Sequence, residues 1–117
     1  MSNALHIEGI DIKSALGRVA GNEKLLRKLL GRFVETQADV AERIKTAINN
    51  NDAERALREA HTIKGLAGSI GADLLFHYAE DLETLLKKGE SDNLDTTLET
   101  FASELSNIIK RVSLALE

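Results

Sequence analysis

The chain predicts an all-α fold, an antiparallel up-down-up-down four-helix bundle with a short extra helix at its N-terminus. Three observations predict it. Apolar residues recur at the three-and-four spacing of a helix face in four long segments. No proline interrupts them anywhere in the 117 residues. The breaks between segments are short and polar or glycine-bearing, which makes successive helices neighbours. Aromatic residues are only 3% of a chain that is 43% hydrophobic, so the core has to be aliphatic, and its leucine, isoleucine and alanine favour packed helices.

Residues 1–10 are expected as a leader, with the opening MSNA partly a cloning remnant. Residues 11–117 then form a single domain, because a chain of this length supports one core and not two. Asp11 to Val19 is a short helix whose Ile12, Ala15, Leu16 and Val19 cover one end of the bundle. From Asn22, a fitting N-cap, to about Asn49 the series Leu26, Leu30, Phe33, Val40, Ile44 and Ile48 holds one face. The run NNND at 49–52 breaks it, and Asn51 with Glu54 has the spacing of a capping box opening a helix to about Gly71. A third helix covers Asp73 to Lys88, carried by Leu74, Leu75, Tyr78, Leu82, Leu85 and Leu86 and closed by Gly89. The fourth runs from about Asn93 to Leu116 on Leu94, Leu98, Phe101, Leu105, Ile108, Ile109 and Val112.

Composition excludes several function classes. The 15 basic and 19 acidic side chains are well mixed, the net charge is -4, and no basic stripe carries interleaved aromatics, so nucleic acid is not an expected partner. There is no cysteine, hence no disulfide framework and no thiolate metal site. No apolar run approaches the roughly 20 residues of a membrane span, so no membrane insertion is expected and a cytoplasmic location fits. No Glu-x-x-His pair of the di-iron kind is present; no metal or cofactor is expected in the domain. Without a sustained exposed heptad seam the expected state is a monomer. His6 in a flexible leader and His77 off the third helix's apolar stripe read as ordinary surface residues.

One stretch does not fit an ordinary bundle helix: AHTIKGLAGSIGADLL at 60–75. On a wheel of about 100° per residue, Ala56, Ala60, Ile63, Ala67 and Ile70 fall within about 40° of one line and make the buried stripe. His61, Lys64, Gly65 and Gly68 fall between about 80° and 180° from it, on a second stripe. Two glycines inside one helix cost roughly 1 kcal/mol each relative to alanine, and the buried stripe does not require them. Read physically, Gly65 and Gly68 remove the side chains that would shield His61 from a large partner. Lys64, one turn on, brings a compact positive charge toward whatever approaches the ring. A neutral imidazole has a free lone pair, so nucleophile, cation and open approach together suit a phosphoryl group. A solvated surface histidine, or glycines that permit close helix packing, are the structural alternatives.

The segment AHTIKGLAGSIGA, followed by AEDLE at 79–83, resembles the signature of histidine-containing phosphotransfer (HPt) domains of multistep two-component signalling. The length, the helix order and the leader GIDIKSALGRVAG are similar to HPt modules at the C-terminal end of hybrid sensor kinases, which would make the domain one module of a membrane-anchored kinase. The resemblance implies that His61 accepts a phosphoryl group, through Nε2, from the aspartyl phosphate of a receiver domain and passes it to another receiver aspartate. It implies a phosphocarrier without kinase or phosphatase activity of its own. Lys64 would neutralise phosphate charge, Gly65 and Gly68 would admit the receiver's acidic pocket, and Glu83 would orient the imidazole from the neighbouring helix. The partners are response-regulator receiver domains, which supply Mg²⁺ beside their own aspartate. Leu57, Phe76, Ile12, Ala15 and Leu16 are expected to form the receiver-binding patch around His61.

Three other readings are weighed against this. The dimerisation and phosphoacceptor region of a sensor kinase places an acidic residue after the histidine and a proline nearby, whereas Thr62 follows here and proline is absent. A passive helical adaptor would receive another helix on the glycine face and would tolerate His61→Gln. A general-base enzyme needs a nucleophile or paired carboxylate at motif spacing, and none accompanies His61. On the phosphocarrier reading, Lys64→Ala is expected to slow transfer without unfolding the bundle, because Lys64 is taken to be exposed.

Overall fold

The computed structural model describes residues 5–117; the expected cloning remnant MSNA lies outside the described residues. Among the described residues the regular structure is all helical: α1 Ile12–Arg18, α2 Glu23–Gln37, α3 Val40–Asn49, α4 Ala53–Ser69, α5 Asp73–Lys88 and α6 Leu94–Ala115. The starts are set by local chemistry. Asp11 Oδ1 accepts from the Ser14 N–H at 3.0 Å and Asn22 Oδ1 from the Leu25 N–H at 3.0 Å, each satisfying an amide that the first turn leaves free. For α4 the capping side chain is Asp52, which accepts from the Arg55 N–H at 3.1 Å, and not Asn51 as its spacing to Glu54 had implied. Asn51 sits at φ +58° and closes α3, where asparagine tolerates the left-handed conformation.

The first long segment is two helices where one was expected. Ala38 stays helical at φ -55°, ψ -34°, but Asp39 turns to φ -108°, ψ 15°, so the rod bends without reversing. Arg43 holds the bend. Its Nη2 donates to the freed Thr36 carbonyl at 3.1 Å, another guanidinium nitrogen pairs with Asp39, and Nε donates to Glu59 Oε2 of α4 at 3.0 Å. Phe33, Gln37, Val40 and Ile44 all stay buried through the bend, which is why the apolar pattern runs on without a sign of it.

The helices pack as a ring: α4 lies between α3 and α5, α5 between α4 and α6, and α6 closes against α2 and α3. α4 and α5 run past each other in opposite directions, since Gly68 meets Phe76 close to their shared turn and His61 meets Glu83 farther from it, the two residues of each pair being equally distant from the turn in sequence. The core is aliphatic apart from Phe33 and Phe101, with Leu26, Leu30, Ile44, Ile63, Leu75, Leu82 and Ile108 fully buried; each such side chain contributes about 1.5–3 kcal/mol by leaving water. Leu74, expected in the third helix's stripe, is exposed, and Ala79 and Glu83 take inward positions beside Leu75 and Leu82.

The α4–α5 turn is tied to the N-terminal segment. The Ala72 N–H donates to the Ala67 carbonyl at 2.9 Å and the Gly71 N–H to the Gly68 carbonyl at 3.2 Å, a helix stop that needs a left-handed residue. Gly71 supplies it at φ +80°. Its carbonyl then accepts from the Asp11 N–H at 2.8 Å, and a Cβ on Gly71 would lie 2.5 Å from the Asp11 carbonyl oxygen. The segment before α1 is therefore docked from Ile7 onward, with Ile7 and Ile10 in the core and Arg111 of α6 bonded to the Glu8 carbonyl at 3.4 Å. That corrects the expectation of a flexible leader, which had missed Ile7 and Ile10 because two apolar residues are too few to show a period. No helix among the described residues is long and apolar enough to cross a membrane.

Candidate functional site

α4 presents His61 outward, 68% exposed, because the buried stripe Ala56, Ala60, Ile63 and Ala67 fixes the rotation of the helix. The antiparallel run of α5 brings Glu83 opposite. Glu83 is only 4% exposed, and its Oε2 lies 2.7 Å from His61 Nδ1. An ionised carboxylate only accepts hydrogen bonds, so His61 Nδ1–H donates, and in the neutral ring the lone pair is on Nε2. Lys64 Nζ lies 2.6 Å from Glu83 Oε1, and Lys87 Nζ lies 3.7 Å from Oε2. Burial alone would raise the Glu83 pKa. The hydrogen bonds from Lys64 and His61, with the charges of Lys64 and Lys87, outweigh it and hold the carboxyl below its ordinary value of 4.5.

Lys64 is accordingly not the free surface cation that was expected. Its side chain is 23% exposed and ion-paired to a buried carboxylate, because a lysine stem about 80° from the core line can lie against α5 before its ammonium reaches water. The two glycines also separate. A Cβ on Gly65 would meet nothing within 4 Å, so the approach over that turn is open, whereas a Cβ on Gly68 would stand 3.3 Å from Phe76 Cδ1. Gly68 seats the Phe76 ring against α4; its place is helix packing and not the open access expected of it.

The expected patch residues divide as well. Leu57 and Phe76 are half-buried on the α5 flank of α4, and Ile12 and Leu16 are half-buried on α1. Ala15 is fully buried and offers no surface. α1 begins at the α4–α5 turn, ten residues beyond His61 and so about 15 Å along the helix, which sets its first residue, Ile12, well away from the imidazole. On the opposite flank of α4 lies a groove of about 900 Å³ that includes exposed Leu25 and Leu29 of α2 and Leu66 of α4. Sequence reasoning missed this groove, since leucines off the core stripe carry no label for what they face. It also missed Lys87, although the four-residue step from Glu83 was there to read. His77 is exposed beside Phe76, ring centroids 5.5 Å apart, and takes no part in the cluster.

A family model described as Hpt domain matches residues 28–114 of the chain. Comparison with curated proteins and with solved structures gives no match.

Proposed function

The chain belongs to the Hpt domain family, the match spanning residues 28–114, and from that premise we propose that His61 relays a phosphoryl group from one receiver-domain aspartate to another. Hpt domains are phosphocarrier modules that work with receiver domains. The observation that carries the assignment to His61 is its geometry: an exposed ring, Nδ1 bound to buried Glu83, and Nε2 left with its lone pair beside the open turn at Gly65. As Nε2 forms its bond to phosphorus, the bond from phosphorus to the donor aspartate oxygen breaks and the electron pair leaves with that carboxylate. The ring keeps its Nδ1 proton, and Glu83 stabilises the charge that develops there. Transfer onward reverses these steps on a second aspartate. Positioning and charge are most of what such a transfer requires, so the domain needs no hydrolytic or kinase machinery of its own, and the Mg²⁺ belongs to the receiver.

On this reading the rods α2–α3, α4, α5 and α6 run up, down, up and down, with α4 presenting the site. The chain acts as one monomeric domain in the cytoplasm, as a module of a hybrid sensor kinase. A receiver would dock across α4, with Leu57 and Phe76 on one flank and Leu66, Leu29 and Leu25 on the other. If Leu66→Ser and Phe76→Ala both leave transfer kinetics unchanged, that docking face is wrong.

The deciding experiment is intact mass after mixing the chain with phosphorylated receiver domains, beside His61→Gln, with acid treatment of any adduct. The expected result is one acid-labile phosphoryl group on wild type and none on the variant. No gain across a broad receiver panel would favour the passive adaptor instead.

A further inference from the structure

Lys64 and Lys87 stand in different relations to Glu83. Lys64 is mostly buried and hydrogen-bonded to Oε1 at 2.6 Å, so its charge is committed to offsetting the burial of that carboxylate. Lys87 follows Glu83 by one turn of α5, is 61% exposed, and holds its Nζ 3.7 Å from Oε2, the oxygen that receives His61 Nδ1–H. That is beyond a hydrogen bond but within reach of the charge. The exposed four-carbon stem leaves this ammonium free to turn.

Charge balance distinguishes the two. Glu83 and Lys64 cancel, so with a neutral ring the resting cluster carries a single positive charge, and that charge is Lys87. The group transferred to Nε2 is a PO₃ unit with one negative charge. After transfer, a ring phosphorylated at Nε2 and protonated at Nδ1 is a cation next to a dianionic phosphoryl group. With Lys87 the loaded cluster is neutral; without it the same transfer would leave a negative charge against a buried carboxylate. Resting on the reading of His61 as phosphoacceptor, we propose that Lys87 sets the charge of the site through Glu83 and is the cation that turns from Oε2 toward the incoming phosphoryl group. Lys64 serves to keep Glu83 ionised in place.

The test loads the 117-residue chain with phosphoramidate, a small donor whose phosphorus–nitrogen bond breaks as ammonia leaves, so that no receiver contact enters the rate. Loading is read by mass as the excess over His61→Gln, which discounts the other histidines. Lys87→Ala is expected to load about three- to fivefold more slowly than wild type at low salt, the range of an exposed ion pair, with an unchanged melting temperature. Lys87→Arg should stay within about twofold of wild type. Lys88→Ala removes the same global charge from the adjacent, exposed lysine and should load like wild type. At about 1 M salt, where screening acts over roughly 3 Å, the Lys87→Ala deficit should nearly vanish. Equal rates for Lys87→Ala and Lys88→Ala, or a deficit unmoved by salt, would overturn the assignment of Lys87 while leaving His61 as acceptor. Loading of wild type no greater than His61→Gln would overturn the phosphoacceptor reading itself, and Lys87 with it.

Discussion

Glu83 is the residue on which the chemistry of the cluster turns, because it is buried, ionised and shared by His61, Lys64 and Lys87. Its pKa in the folded chain is depressed below 4.5, and the sign of the consequence follows. A carboxyl held below its unfolded value contributes stability above that value and loses it as pH falls through the folded one. Urea unfolding at a series of pH values should therefore show wild type losing stability relative to Glu83→Gln as pH drops below 4.5; a relative gain in acid would contradict the pairing. Lys64→Ala belongs to the same scale. Because Lys64 is paired and not free, its removal should lower stability by about 1 kcal/mol, the worth of a charged hydrogen bond reduced for partial exposure. An unchanged denaturation midpoint would mean that Lys64 does not hold Glu83.

Among the elements, α4 carries the site and two glycines of different meaning. Gly65 has a helical backbone and open space around its missing Cβ, so Gly65→Ala should stabilise the chain by roughly 0.5–1 kcal/mol. Gly68→Ala should recover less, because Phe76 has to give by a few tenths of an ångström. Thermal melts of the two variants would order them, and a larger gain at Gly68 would show that the ring does not press on α4. At the α2–α3 bend, Arg43 joins the Thr36 carbonyl, Asp39 and Glu59. Arg43→Ala should open the bend, seen as faster amide exchange at Arg43, whose N–H bonds the Asp39 carbonyl, ahead of exchange in α6. Equal protection in wild type and variant would remove Arg43 from that role.

For the molecule as a whole, Gly71 joins the N-terminal segment to the turn that ends α4. Any side chain there is strained at φ +80° and strikes the Asp11 carbonyl. Gly71→Ala should cost about 1–3 kcal/mol and undock the segment from Ile7 to Asp11, visible as lost protection of the Asp11 amide. Full protection with an unchanged melting temperature would show that the turn and the segment are not coupled.

The all-helical class, the outward face of His61, the helix start at Asn22 and the helix stop at Gly89 were determined by the sequence alone. Each depends on spacing within one helix or on one residue's backbone preference, and local physics suffices for both. The bend at Ala38–Asp39 was not legible, because the buried pattern 33, 37, 40, 44 keeps helical spacing across it and Arg43 makes it only by reaching Glu59 on another helix. The division between Gly65 and Gly68 was hidden for a related reason: it is decided by where the Phe76 ring lies. The tertiary structure alone decided that Lys64 is hydrogen-bonded to Glu83 while Lys87 holds it only as an exposed, longer ion pair, since the carboxylate that Lys64 reaches comes from α5 and is buried by the packing of α4 against it.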